Sequence, residues 1–137
     1  MPVYLMDSNV LSEIMRNPRG SAAQIFERKA TEPGTRLQTS IIVACEMRYG
    51  VAKRGLAPLA QRVDRALASV EVVPLAVGSD AAYAALRSDL ERRGLVIGQN
   101  DMLIAAHALA LNAILVTDNV REFKRVKGLK IENWLRH

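Results

Sequence analysis

The sequence predicts an α/β fold built on a central, mostly parallel sheet of four to five strands. Short apolar runs alternate with stretches of helical periodicity along the whole chain, the pattern of strand–helix units joined by right-handed crossovers. The first run, Val3 to Met6, is apolar on both faces, as strands buried between helical layers are. Two such runs lead into an aspartate, Asp7 and Asp118, and open α/β sheets hold their ligands at the carboxyl ends of strands.

After the strand at Val3–Met6, Ser8 is the expected N-cap of a first helix with Leu11, Ile14 and Met15 on its apolar face. Asn17-Pro18-Arg19-Gly20 stops it. A second amphipathic helix runs from Ser21 to about Ala30 and ends at Glu32-Pro33-Gly34. Arg36 to Thr39 forms a second strand, and Ser40 caps a third helix reaching Arg54. On that helix Ile42, Cys45, Tyr49 and Ala52 recur at helical spacing and are expected to face the core, with Glu46 on the same stripe. A carboxylate there is costly unless something compensates it.

Gly55 to Pro58 breaks the pattern, and Leu59 to Ala68 gives another helix with Arg62 and Arg65 outside. Val70 to Pro74 is a third strand. The long helix Ser79–Arg93 closes at Gly94, where Arg87, Arg92 and Arg93 suit the negative end of the helix dipole. Asp101 opens a nearly all-apolar helix to Leu111, a composition that requires burial on several sides. Ala113 to Val116 is a fourth strand leading into Thr117-Asp118-Asn119; Arg121 to Phe123 forms a helical turn and Leu129 to Ile131 a fifth strand. No repeat or linker interrupts this series, so residues 1–137 form one domain.

Half the residues are hydrophobic and 24% are charged, which fits a globular chain and excludes a disordered one. The net charge of +5 and pI near 9.8 favour an anionic partner such as nucleic acid. Cys45 is the only cysteine, so no intrachain disulfide forms, and it reads as a small buried hydrophobe. No leader pattern opens the chain, and the apolar run Met102–Leu111, broken by His107, is too short to span a bilayer. A soluble cytoplasmic protein with no membrane partner is expected.

Asp7, Glu46, Asp101 and Asp118 are the acids that such a fold brings toward one place. Clustered carboxylates raise one another's pKa unless a cation neutralises them. Magnesium suits them, since it takes oxygen ligands and is commonly held by one or two carboxylates, waters and substrate phosphate. The competing explanation gives each acid a private role: Asp101 favouring a helix N-terminus, Asp118 in a turn, Glu46 paired with an arginine. Asp64, Asp80, Asp89 and Glu91 fall on solvated faces, His107 reads as a hydrogen-bonded core residue, and the terminal His137 is expected to be disordered.

Four segments resemble the motifs of a known family. Met6-Asp7-Ser8-Asn9-Val10-Leu11-Ser12-Glu13 resembles the opening of PIN-domain nucleases, and Ser40 to Gly50, with Glu46 as its acid, resembles their second motif. Ile97 to Ala108, with Asp101, resembles the third. Leu115 to Phe123, followed by Gly128-Leu129 and Glu132-Asn133-Trp134, resembles the C-terminal signature of VapC toxins. The resemblance covers essentially the whole chain. It implies a PIN-like three-layer α/β/α fold and a magnesium-dependent endoribonuclease, with manganese as a substitute.

By this resemblance the protein is the toxin of a type II toxin–antitoxin pair, forming a homodimer and a hetero-oligomer with a VapB-type antitoxin that inhibits it and alone contacts operator DNA. Its substrate is RNA, whether transfer, ribosomal or messenger, cut by metal-activated water to leave a 3′-hydroxyl and a 5′-phosphate. The resemblance makes Asp7 and Asp101 the metal ligands and Glu46 and Asp118 further catalytic acids, supported by Ser8, Asn9, Thr117 and Asn119. Ser8 stands where the family more often has threonine, keeping a hydroxyl for a neighbouring acid. The fourth family acid commonly lies two residues after the threonine, where this chain has Asn119, leaving Asp118 and Asn119 as alternatives.

Arg121, Lys124, Arg125, Lys127 and Lys130 would then bind RNA phosphates, against the simpler reading of a solvated basic surface. With most aromatics expected in the core, recognition of RNA by shape is favoured over base stacking. A phosphatase with a nucleophilic aspartate would want a second aspartate where Asn9 stands, and a receiver domain would want paired acids after the first strand. A catalytically inert FitB-like module, acting with its antitoxin as a DNA-binding autorepressor, is the remaining alternative.

Overall fold

The computed structural model describes residues 2–136. Five parallel strands, β1 (Val3–Met6), β2 (Arg36–Ser40), β3 (Glu71–Val73), β4 (Ile114–Val116) and β5 (Lys130–Glu132), form one sheet in the order β3-β2-β1-β4-β5. Helices α1 (Ser8–Arg16), α2 (Ser21–Thr31), α3 (Ile41–Arg54), α4 (Ala57–Ala68), α5 (Ser79–Arg93), α6 (Gln99–Leu111) and the short α7 (Val120–Phe123) flank it. The chain runs outward from β1 through β2 to β3, then returns to lay β4 against the other side of β1. The strand order therefore reverses between β1 and β4, and at such a switch point a crevice opens at the carboxyl ends. Asp7 and Thr117 are the residues that follow those two strands.

Registers Tyr4–Ile114, Leu5–Leu115 and Met6–Val116 bring the apolar centres of β1 and β4 side by side. Leu5, Met6, Leu115 and Val116 are fully buried with Val10, Ile104, Leu90 and Phe123. The all-apolar α6 is buried through Met102, Ile104, Ala105, Ala106, His107 and Ala108, as its composition requires. Ser40 caps α3 as expected, its hydroxyl accepting from the Ile42 amide at 3.1 Å. Gly94 ends α5 at φ +67°, a left-handed position that glycine takes without strain.

Three expectations need correction. Asp7, not Ser8, is the N-cap of α1, because β1 passes straight into the helix and Ser8 is already its first residue. Pro58 does not break the chain before α4; it lies in the first turn, where its missing N–H costs nothing. The third concerns α3, which turns Val43 and Ala44 inward, with Met47 and Val51 packed beside them. Cys45, Ala52 and Tyr49 face outward, Tyr49 at 66% exposure. Both faces of this helix are apolar, so periodicity could not choose between them; α4 and α1 pack on the Val43 face and decide it. His137 lies outside the described residues.

Candidate metal and nuclease site

Asp7 is buried at the head of β1 and α1, held from three sides. Its Oδ1 accepts the Ser8 backbone N–H at 2.8 Å, while Oδ2 accepts the Thr117 hydroxyl at 2.8 Å and the Asn9 amide at 3.3 Å. Ser8 thus serves through its backbone amide rather than the expected hydroxyl. Asn9 ties the two strand ends together, its Oδ1 accepting the Asp118 backbone N–H at 3.1 Å, and Thr117 Oγ1 accepts the Asn119 N–H at 3.0 Å. Burial raises the Asp7 carboxyl above its ordinary 3.8, and the hydrogen bonds from Thr117, Ser8 and Asn9 offset this only in part.

Glu46 approaches from α3 and Asp101 from the first turn of α6. They line one shallow recess with Gly98, Gln99 and Asn100, and Asn100 donates to Glu46 Oε2 at 3.5 Å. Burial first, then the Asp7 charge, raises the Glu46 carboxyl. Burial and the charges of Asp7, Glu46 and Glu122 push Asp101 up to about 6. The fold has therefore gathered acids from separate segments into an environment that resists their ionisation.

Glu122 on α7 adds its charge to this group, and in the sequence it is hidden by the arginines and lysines around it. It lies in the first turn of α7, close enough for its charge to act on Asp101. Asp118 does the opposite. Its Oδ1 accepts from Asn133 Nδ2 at 3.0 Å and Arg136 Nε at 2.9 Å, and these partners hold its carboxyl below the usual range. It acts on none of the raised acids and instead fastens the C-terminal strap, whose Trp134 is buried beside Tyr4. Of the two alternatives, Asp118 is turned away and Asn119 stays on the Thr117 loop.

Among the described residues, no three acidic, histidine or cysteine side chains converge tightly enough to ligate one ion together. An all-oxygen set supplying one or two direct ligands, with water and substrate phosphate completing the shell, is what magnesium accepts. Asp7, raised by burial, and Glu46 and Asp101, raised by burial and by neighbouring acid charge, fit a divalent cation beside them, and the donors they offer are hard oxygens rather than the soft ligands that favour zinc.

The basic segment divides. Lys127 pairs with Asp89 at 3.5 Å, and the Arg125 guanidinium reaches the Val96 carbonyl at 3.5 Å. Arg121 and Lys124 are exposed and make no ion pair among the described residues. A separate groove, lined by Met15, Arg16, Met47, Arg54, Arg62 and Val63 among others, runs between α1, α3 and α4. No described helix is long and apolar enough to cross a membrane.

The family profile of the PIN domain matches residues 4–129. Ribonuclease VapC2 of Rickettsia felis is 37% identical over 133 residues, covering 96% of this chain and 98% of that one. The tRNA(fMet)-specific endonuclease VapC of Salmonella typhimurium is 29% identical over 133 residues, covering 96% and 97%. The crystal structure of VapBC2 from Rickettsia felis, bound to a DNA fragment from its promoter, superposes with TM-score 0.88 at 35% identity, covering 96% of this chain and 98% of that chain.

Proposed function

The chain belongs to the PIN-domain family, and from that premise we propose that it is a VapC-type toxin, a magnesium-dependent endoribonuclease held inactive by a cognate antitoxin. The observation that carries this reading is the convergence of Asp7, Glu46, Asp101 and Glu122 from separate segments onto a strand-order switch point, with the pKa of Asp7, Glu46 and Asp101 raised. PIN-domain ribonucleases generally depend on a divalent metal, and the oxygen donors here suit magnesium, with manganese a workable substitute. When bound, the cation would acidify a water for attack on the phosphodiester and offset the charge that builds there.

Asp7 and Asp101 are the residues that would hold the cation. The Ser8 amide, Thr117 hydroxyl and Asn9 amide fix the Asp7 carboxylate so that no side-chain rearrangement is needed at the moment of reaction. Glu46, braced by Asn100, and Glu122 are placed to order water around the site. Arg121 and Lys124, which make no ion pair among the described residues, offer positive charge to RNA phosphates, and Tyr49 is exposed where RNA or a protein partner could contact it.

The antitoxin reading is supported by the groove between α1, α3 and α4. Its apolar floor and the arginines Arg16, Arg54 and Arg62 suit an amphipathic acidic segment. Exposed Ile41, Leu75 and Val77 support burial in a homodimer. Promoter DNA would be contacted through the antitoxin, as a pair with a cytoplasmic role in autoregulation.

The test is cleavage of total bacterial RNA by antitoxin-free protein with magnesium, with chelator, and with Asp7→Asn. Discrete fragments bearing 5′-phosphates, present only with metal and lost in the variant, are expected. Folded protein that cleaves nothing across a broad RNA panel would overturn the nuclease reading in favour of an inert binding module.

A further inference from the structure

His107 is buried in the middle of α6, and its ring is far from idle. Nδ1 lies 2.8 Å from Ser40 Oγ, and both side chains are fully buried. Ser40 Oγ already accepts the Ile42 amide hydrogen as the cap of α3. Its own hydrogen can go to Nδ1, in the tautomer that carries the ring proton on Nε2. Nε2 has no hydrogen-bond partner of good geometry among the described residues, although the Pro74 backbone at the end of β3 lies beside it. One side chain of α6 is thus linked to the start of α3 at a point closed to solvent.

The spacing gives this link a consequence. Glu46 lies six residues after Ser40 on α3, and Asp101 lies six residues before His107 on α6. At a rise of about 1.5 Å per residue, each acid stands about 9 Å from the link along its own helix. The two helices run past each other in opposite directions, joined at one end by His107–Ser40 and at the other by Asn100–Glu46 at 3.5 Å. The outer bond is long and exposed; the inner one is short and dry. Any axial slip of α6 against α3 displaces Asp101 relative to Glu46 along the helices by the length of the slip.

We propose that His107 is a positioning residue: its bond to Ser40 fixes the register of α6 on α3 and thereby sets the spacing of Glu46 and Asp101 for the cation. This rests on the reading of the acidic cluster as the metal site. The link acts on placement of the acids and touches neither the cation nor RNA.

The experiment compares His107→Leu, His107→Asn, Ser40→Ala and Ser40→Thr in the full chain, reading Mn2+ binding directly from the loss of the free-ion paramagnetic resonance signal. Asparagine can place an amide atom near Nδ1 and threonine keeps the hydroxyl, whereas leucine and alanine break the link. Mn2+ affinity is expected to fall about tenfold in His107→Leu and Ser40→Ala, at the low end for supports of metal ligands, and to recover to within about threefold in His107→Asn and Ser40→Thr. The melting temperature, measured alongside, falls in any variant that loses packing and does not predict this rescue. Folded His107→Leu with wild-type Mn2+ affinity would overturn the proposal, and so would asparagine and threonine variants as impaired as leucine and alanine. Should His107→Leu fail to fold, the Ser40 pair decides by the same readout. Wild-type protein that binds no Mn2+ would instead remove the metal-site reading itself.

Discussion

Asp101→Asn is expected to make the metal-free protein more stable at neutral pH while removing its nuclease activity. Burial and the charges of Asp7, Glu46 and Glu122 lift the Asp101 carboxyl from 3.8 to about 6. The folded chain then holds this proton more tightly than the unfolded chain. The associated stability is fully present below pH 3.8 and is lost as pH rises through about 6. Taken at full strength the loss by pH 7.5 is about 3 kcal/mol. Asp101 is only half-buried, so solvent screening reduces this to about 1.5 kcal/mol. Its place in the first turn of α6 returns about 0.5 kcal/mol to the ionised form through the helix dipole. Repulsion and burial therefore outweigh the dipole by about 1 kcal/mol, equivalent to about 4 °C in Tm for a domain of this size. Calorimetry in chelator should show Asp101→Asn melting about 4 °C above wild type at pH 7.5 and level with it at pH 4. Magnesium should raise the wild-type Tm and leave the variant unchanged. A variant less stable than wild type at pH 7.5 would mean the dipole and local hydrogen bonding dominate, and the account of a strained acidic cluster would be refuted.

Four further variants test the same geometry. Thr117→Val removes the hydroxyl that donates to Asp7 Oδ2 at 2.8 Å and receives the Asn119 amide; urea denaturation should show a loss of about 1–3 kcal/mol. Because that bond lowers the Asp7 pKa, the acidic limb of the variant's pH–rate profile should move to higher pH. Asp118→Asn breaks a surface pair with Arg136 and should cost under about 1 kcal/mol in a denaturant titration. Its kcat/KM should stay within about threefold of wild type, whereas Glu122→Gln should lower it about tenfold. Arg121→Glu with Lys124→Glu should weaken RNA binding and flatten its salt dependence, as read by binding titrations across ionic strength. The log–log slope should fall by about 0.7 for each RNA phosphate that the variant no longer neutralises.

Much of the fold was legible because its signals are local. The apolar runs at Val3–Met6 and Ile114–Val116, the serine cap of α3, the glycine end of α5 and the uniformly apolar α6 each follow from their own few residues. Asp7, Glu46 and Asp101 stand out in the sequence because each interrupts or terminates an apolar pattern. What escaped notice depends on the sheet. The inward face of α3 was misassigned because Ile42, Cys45 and Tyr49 make as good a stripe as Val43, Met47 and Val51. Glu122 was hidden by the lysines and arginines around it. Asp118 and Asn119 are adjacent in one loop and stay alternatives in the sequence, because the strap carrying Asn133 and Arg136, which holds the Asp118 carboxylate, is distant in the chain.

The central position of β1 is marked by its composition. β1 (VYLM) and β4 (ILV) are wholly apolar, whereas β2 (RLQTS), β3 (EVV) and β5 (KIE) each carry polar or charged side chains. Apolar strands belong where both faces are covered, which suits β1 at the centre and β4 beside it; β2, equally interior on the other side, instead buries the polar Gln38, Thr39 and Ser40. That arrangement puts the switch point at the driest part of the sheet edge, and the residue it places there is Asp7. The same choice that holds this carboxylate most rigidly also desolvates it most, and its three hydrogen bonds recover only part of the cost. Rigidity and electrostatic strain therefore have one origin here. A mutation that relieved the strain by opening the site to water would also loosen the carboxylate, whereas a divalent cation relieves it with the geometry intact.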